Sequence, residues 1–459
     1  MLDRLPTIPQ AAQDLRARRL SVPELVQACL ARIQRYDGQL HAWVRVDAAA
    51  ALRQAEHLQR LLEEGKDLGP LHGIPLGIKD IIDVAGWPTE CGSPLRQGHL
   101  AQADAAVVAA LRRAGAVLLG KTVTTEWAGF DPPPTVNPWQ PAHTPGGSSS
   151  GSAVAVAAGM CLGALGTQTG GSIIRPAAYC GVSGLKPGYG ELPMEGIFPL
   201  APHLDHVGPI CRRVDDLYCV WQVLAAASHG TVESMFSRRW ADHSLQSWID
   251  AYGVNKALFV LRGPLLERTS PEVAAVLAQA LDRLRPAVEI VPLDLPEGFE
   301  ELLIWHRQIM AVEAAAVHRD TFPAHRDQYG PRIAALLEEG WQVRGVDYAQ
   351  ALFRREQWRQ KLAQRLHRHA DLLGCLVMPA TVTPPPGRDS TGDPAFNAPW
   401  SYLGWPALTI PAGWTADGLP VGMQFVALTV PQVFAMAGLC ERILGFREEP
   451  PMNTREESA

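Results

Sequence analysis

Residues 144–188 read TPGGSSSGSAVAVAAGMCLGALGTQTGGSIIRPAAYCGVSGLKPG. The stretch has no acidic residue and holds two clusters of small residues. They are Gly146-Gly147-Ser148-Ser149-Ser150-Gly151-Ser152 and Gly166-Thr167-Gln168-Thr169-Gly170-Gly171-Ser172. Between them Ala153–Ala158 reads as a small-residue helix that Gly159 ends, and Leu162–Leu165 as a short buried strand. A compact helix–strand connection therefore brings two serine-bearing loops to one place.

Gly- and Ser-rich segments are often flexible linkers, but a solvated linker has no use for Val154, Val156, Leu162 and Leu165. A phosphate cradle would need Lys-Ser/Thr closing a Gly-rich loop, or GxGxxG between a strand and a helix, and neither is present. What fits is chemistry in which backbone N–H groups approach a reacting oxygen. Gly170 and Gly171 permit that approach. The amides of Thr169, Gly170, Gly171 and Ser172 then suit an oxyanion hole, with the Ser172 hydroxyl as nucleophile.

The stretch resembles the signature of the amidase signature family, usually GGSSGGSA…GTDTGGSIR.PA..CG..GLKP. In that family a lysine, a bridging serine held in a cis peptide and a nucleophilic serine 24 positions later form the catalytic set. Here 172 − 148 = 24, so Ser172 matches the nucleophile and Ser148 the bridging serine. His72-Gly73-Ile74-Pro75-Leu76-Gly77-Ile78-Lys79-Asp80 matches the upstream GIPLGIKD-type strand end, which makes Lys79 the lysine. The resemblance runs from about residue 8 to about residue 445. It implies an α/β fold with a large mixed, mostly parallel twisted sheet covered by helices on both faces. One main domain would span residues 1–446, with core signature 71–210 and a helical cap at about 298–370. The charged tail 447–459 reads as disordered.

Outward from the signature, Ser21-Val22-Pro23-Glu24 is a capping box that starts a helix to about Tyr36. His41–Val46 alternates like a strand, and Asp47 caps an Ala/Leu/Glu-rich helix to about Glu64. Leu71–Asp83 opens the sheet, with Lys79 among apolar neighbours. A lysine desolvated in that way has its pKa lowered and is able to accept a proton. Asp104 is expected to cap a helix at 105–113, before a buried strand at 116–121. Lys121 and Glu126 are expected in structural ion pairs. Asn137, in an NP-type segment of a Pro-rich loop, is placed on the leaving-group side by the resemblance. Tyr189–His206 reads as a loop over the site, with His206 a loop residue rather than a triad histidine. Residues 257–292 form a βαβ-like unit, and Trp305, Ile309, Met310 and Glu313 recur at helical spacing, as packing residues do.

A net charge of −6 leaves no footprint for nucleic acid, and no run of 18 apolar residues suggests a membrane span. The start, MLDRLPTIPQ, is not a secretory signal. Eight scattered cysteines without CxxC or CxxH spacing suit reduced thiols in a cytoplasmic enzyme with no metal and no cofactor.

Two positions depart from the signature. Gln168 replaces the usual Asp, and Arg175 lies three residues after the nucleophile, where most members carry it two after. This form is similar to malonamidase- or urethanase-like variants. Both residues are expected beside the acyl pocket, Arg175 either binding a substrate carboxylate or paired structurally, with Ser149 supporting the network. The reading is a serine amidohydrolase of small linear amides, extending to carbamate or urea-type bonds, as a monomer or homodimer. Trp139, Trp400 and Trp405 would suit an aryl group. The alternatives are the glutamine-hydrolysing component of a tRNA-dependent amidotransferase complex and a catalytically dead binding protein.

Overall fold

The computed structural model describes residues 4–228, 245–251, 256–367, 373–445 and 449–451. Its strands are β1 (Trp43–Val46), β2 (Pro75–Lys79), β3 (Val117–Thr122), β4 (Gly163–Gln168), β5 (Ser183–Lys186), β6 (His206–Cys211), β7 (Lys256–Arg262), β8 (Glu289–Asp294), β9 (Leu373–Pro379), β10 (Ala407–Trp414) and β11 (Pro420–Val426). All join one sheet in the order β1-β3-β2-β4-β6-β5-β10-β11-β9-β7-β8, with helices packed on both sides.

The single mixed sheet agrees with expectation; the predominance of parallel pairing does not. Four ladders are parallel: β2–β3, β2–β4, β7–β8 and β7–β9. Six are antiparallel: β1–β3, β10–β11, β10–β5, β11–β9, β4–β6 and β5–β6. The physical reason is the connections. Parallel neighbours need a crossover, as between β7 and β8 through the helix Pro271–Leu284. β5 and β6 are joined by a returning loop and β10 and β11 by a short turn, and both must run antiparallel.

Local chemistry sets most element boundaries. Ser21 Oγ accepts from Glu24 N–H at 3.3 Å and Glu24 Oε2 accepts from Ser21 N–H at 2.8 Å, closing the capping box of Val22–Leu40. That helix passes the expected end at Tyr36 and stops where His41 takes φ 49°. Asp47 caps Ala48–Glu63 through Ala50 N–H at 3.0 Å. Asp104 does not cap Ala106–Arg113; its carboxylate instead accepts from Ala85 N–H at 2.8 Å and pairs with Arg112 at 2.9 Å. The helix between the serine loops runs Ser150–Ala157, starting earlier than expected. Its Ser152 hydroxyl meets Thr122 Oγ1 at 2.7 Å and donates to Leu165 O at 2.9 Å, tying it to β3 and β4. Helices Glu301–Val317, Phe322–His325, Pro331–Gln342 and Gly345–His367 fill the region expected as a cap, whose residues 368–370 lie outside the described residues. So do 447–448 and 452–459, which hold most of the expected disordered tail; Glu449 pairs with Arg32 at 2.7 Å.

Lys121 and Asp80, both 1% exposed at the side chain, form a buried ion pair at 2.8 Å between the ends of β3 and β2. Glu126, also expected in an ion pair, instead accepts from Ser93 Oγ at 2.8 Å and Gly330 N–H at 2.7 Å. Removing one member of a buried pair strands the other charge. Asp80→Ala is expected to lower the unfolding free energy by about 3–5 kcal/mol, read from urea denaturation.

Candidate active site

β2 and β4 are parallel neighbours, with Ile78 opposite Leu165, so Lys79 and Gln168 end their strands on the same edge. Crevices outside the carboxyl ends of parallel strands are the usual place for ligands in such sheets. Lys79 is fully buried, and its Nζ donates to Ser148 Oγ at 2.7 Å and to Thr167 Oγ1 at 2.8 Å. Burial holds the amine well below its usual range, opposed only in part by the charge of Asp205 and by Cys91. No carboxylate touches it among the described residues. The Gly147–Ser148 peptide is cis.

The second loop sits beside this pair. Ser149 N–H donates to Ser172 O at 3.4 Å, and Ser149 Oγ exchanges bonds with the carbonyl and N–H of Thr167, each 3.2 Å. Ser149 thus laces the two loops together. Ser172 is partly exposed, and among the described residues its hydroxyl makes no hydrogen bond.

The backbone of the second loop has a consistent polarity. Gln168 O takes the weaker branch of a shared bond from His206 Nδ1 at 3.3 Å, the shorter going to Leu204 O at 2.7 Å. Thr169 O accepts from His306 Nε2 at 2.9 Å, Gly170 O from Ser401 Oγ at 2.8 Å and Gly171 O from Arg175 N–H at 2.9 Å. Among the described residues the N–H groups of Thr169, Gly170, Gly171 and Ser172 donate to no atom of the chain. In a trans peptide C=O and N–H point opposite ways, so each anchored carbonyl turns the next N–H away from its anchor.

The remaining residues singled out from sequence are committed to the backbone. Gln168 Oε1 accepts from Ile173 and Ile174 N–H at 2.9 and 3.0 Å, and its Nε2 donates to Ser401 Oγ at 3.1 Å. Arg175, buried, donates from Nε to Thr391 O at 2.6 Å and from Nη2 to Gly147 O at 2.8 Å, while Nη1 has no partner among the described residues. Asn137 donates to Thr144 O and Tyr179 O at 2.9 and 3.0 Å and accepts from Trp139 N–H at 2.9 Å, so its amide is used internally. Trp139, Trp400 and Trp405 are buried packing residues: Trp139 Nε1 donates to Cys180 O at 2.7 Å, and Trp400 stacks on Trp405 with centroids 6.2 Å apart.

His206 is the first residue of β6 rather than a loop residue, and burial pushes its ring well below the usual imidazole range. Sequence reasoning passed over His306, Ser401, Thr167 and the role of Asp205. Asp205 accepts from Thr169 Oγ1 at 2.5 Å and from Leu200 and Ala201 N–H at 2.8 and 2.9 Å, and burial raises its carboxyl to about 6. Thr167 sits in the quoted stretch, two residues from the free amides, and its hydroxyl was the available signal. His306 and Ser401 carry none; only the fold brings them to the loop.

Known proteins with this chain's sequence and architecture give the arrangement its class. AmiD of Mycobacterium tuberculosis is 33% identical over 468 residues, covering 97% of this chain and 96% of that protein. The glutamyl-tRNA(Gln) amidotransferase of Chloroflexus aggregans has a component, its A-type subunit, that is 33% identical, covering 92% of each. The native peptide amidase from Stenotrophomonas maltophilia superposes with a TM-score of 0.83 at 32% identity, covering 98% of this chain and 99% of that one. A sequence and fold shared with such proteins define a hydrolase of carbon–nitrogen bonds. The chain belongs to the amidase signature family, whose profile, described as Amidase, matches residues 24–431.

At Gly171 an added Cβ would lie 2.5 Å from Asn397 Oδ1 and 2.6 Å from Arg175 Nη1. Both side chains are buried and pinned by other hydrogen bonds. The backbone would have to move, and a loop displaced by about 1 Å loses about 100-fold in rate. Gly171→Ala is therefore expected to lower kcat by at least that factor and to cost about 1–3 kcal/mol of stability, read as a lowered melting temperature.

Proposed function

We propose that the chain hydrolyses a linear amide of a small substrate through an acyl-enzyme on Ser172, with reach to carbamate or urea-type bonds. The observation that carries this reading is the 2.7 Å contact between the buried, carboxylate-free amine of Lys79 and the Ser148 hydroxyl. A neutral amine has a lone pair, so the contact reverses direction and Ser148 donates to Lys79. As Ser172 Oγ bonds to the substrate carbonyl carbon, its proton passes to Ser148 Oγ while the Ser148 proton passes to Lys79. The carbonyl oxygen becomes an oxyanion facing the free N–H groups of residues 169–172. The proton returns through Ser148 to the leaving nitrogen, the C–N bond breaks, and water deprotonated along the same path cleaves the ester at Ser172. The relay requires the Ser172 hydroxyl, which is unbonded among the described residues, to meet Ser148 Oγ when substrate is present. This is a Ser–Lys form of the nucleophile–base arrangement.

All eight cysteines are free and buried, which suits work in the reducing cytoplasm. No described helix is long and apolar enough to cross a membrane. A second reading, the glutamine-hydrolysing component of an amidotransferase, draws on the 33% identity to the Chloroflexus protein. Purification from the native host decides between them: small partner proteins that stay bound through gel filtration favour the second.

Ser172→Ala is expected to cut kcat/KM about a million-fold, and retention of a tenth of the activity would defeat the assignment. Lys79→Ala should be comparably severe, whereas a loss below about tenfold would mean that another base operates. Only the neutral amine accepts a proton. Activity should therefore rise with pH through the lowered pKa of Lys79 and then level off. A profile flat between about pH 5 and 9 would count against a neutral lysine base. A panel of amides, anilides, carbamates and dicarboxylic monoamides then sorts the substrate class.

A further inference from the structure

We infer that His306, on the helix Glu301–Val317, is a positioning residue that aims the Gly170 N–H at the oxyanion; this rests on the oxyanion reading above. Thr169 O and Gly170 N–H belong to one peptide group and point in opposite directions. His306 Nε2 donates to Thr169 O at 2.9 Å and so fixes the rotation of that peptide from behind. A carbonyl only accepts, so Nε2 carries the hydrogen. Burial lowers the ring pKa to about 4, which keeps it neutral at ordinary pH, and the ring is 3% exposed. His306 Cε1 would lie 3.4 Å from a Cβ on Gly170, so the ring also closes over that residue.

The next peptide is held in the same way. Ser401 Oγ donates to Gly170 O at 2.8 Å, and because it accepts from Gln168 Nε2 at 3.1 Å its proton is committed to that carbonyl. Gln168, which departs from the signature, thus feeds this second anchor.

The helix that carries His306 is itself clamped. Its Glu313 accepts from His203 N–H at 2.9 Å, His203 Nδ1 at 2.6 Å and Tyr348 Oη at 2.8 Å. The helix therefore has a defined register against the loop between β5 and β6, and that register sets where the His306 ring meets Thr169. This helix does more than wall a pocket: it supports the amides that would bind the transition state, so changes in it should act on kcat.

The test compares His306→Leu with His306→Gln, which keeps a side-chain N–H. The readouts are kcat and KM on a short-chain p-nitroanilide and the rate at which a fluorophosphonate, whose phosphoryl oxygen occupies the oxyanion position, labels Ser172. Losing an oxyanion donor outright costs about 100- to 1,000-fold, so losing its support in His306→Leu should slow kcat and labelling about 10- to 100-fold. KM should stay within about threefold, and His306→Gln should recover most of the loss. The inference is overturned if the folded Leu variant keeps both rates within about threefold, or if its loss lies in KM alone. Should His306→Leu not fold, His306→Asn, too short to reach Thr169 O, replaces it: Asn slower than Gln supports the role, and equal rates remove it. Failure of the underlying reading looks different, because the parent protein would then show no labelling at Ser172.

Discussion

A lysine amine with no carboxylate against it, shut away from water at the end of a strand, is the constraint around which this molecule is built. Leaving such a group charged in a low-dielectric interior costs several kcal/mol, and the alternative is to hold it neutral. Lys79 meets that alternative with two hydroxyls, Ser148 and Thr167. One is supplied by the cis Gly147–Ser148 turn and the other by the last residues of β4. The parallel β3-β2-β4 set brings those parts together, and the buried Lys121–Asp80 pair at the ends of β3 and β2 shows the contrast. There a lysine is given a carboxylate and serves structure; at Lys79 the carboxylate is withheld and two hydroxyls take its place, as the proposed base would need.

The second organising feature is backbone polarity. A glycine loop alone is free to point its amides anywhere, and its conformational freedom is also its entropic cost. Here four consecutive carbonyls, from Gln168 to Gly171, are each taken by a donor on a different element: β6, the helix Glu301–Val317, the helix Ala398–Leu403 and the helix Ile174–Tyr179. Such preorganisation matters because donors that need no reorganisation at the moment of reaction stabilise charge best. Glycine supplies the shape, and the distant donors remove the freedom.

This division explains what was legible in the sequence. Lys79, Ser148 and Ser172 lie in the dense local motifs that carry the resemblance to the family, and the structure brings the first two into contact. The capping box at Ser21 and the βαβ unit at 257–292 were equally local and were readable. The sense of strand pairing was not, because it depends on which strands become neighbours after the chain has crossed the sheet. His306 and Ser401 were invisible for a related reason. A single histidine at helical spacing among Trp305, Ile309 and Met310 looks like packing, and only tertiary contact with residue 169 gives it a partner. Gln168 and Arg175 were visible as departures expected beside an acyl pocket, Arg175 either on a substrate carboxylate or paired structurally. Most of their donors and acceptors serve the chain itself: Gln168 holds the start of a helix, and Arg175 holds the carbonyl of Gly147.

That commitment bears on specificity. Ser149, Gln168 and Asn137 have their polar atoms engaged within the chain, so they have little left with which to greet a substrate. The exception is a donor–acceptor pair, Arg175 Nη1 and Asn397 Oδ1, unpartnered among the described residues and both within 2.6 Å of where a Gly171 Cβ would stand. Those atoms are buried under the loop that carries Gly171 and Ser172, a position in which an unmet hydrogen bond costs about 1–3 kcal/mol. A discrimination between amides that must act at the mouth of the site therefore falls to elements with side chains still free to vary: the helices after residue 300 and the loop between β5 and β6. Because the first of these also carries His306, a change made there to fit a new acyl group cannot be neutral for the amides behind it. Selectivity and rate are mechanically joined in this chain, through one imidazole.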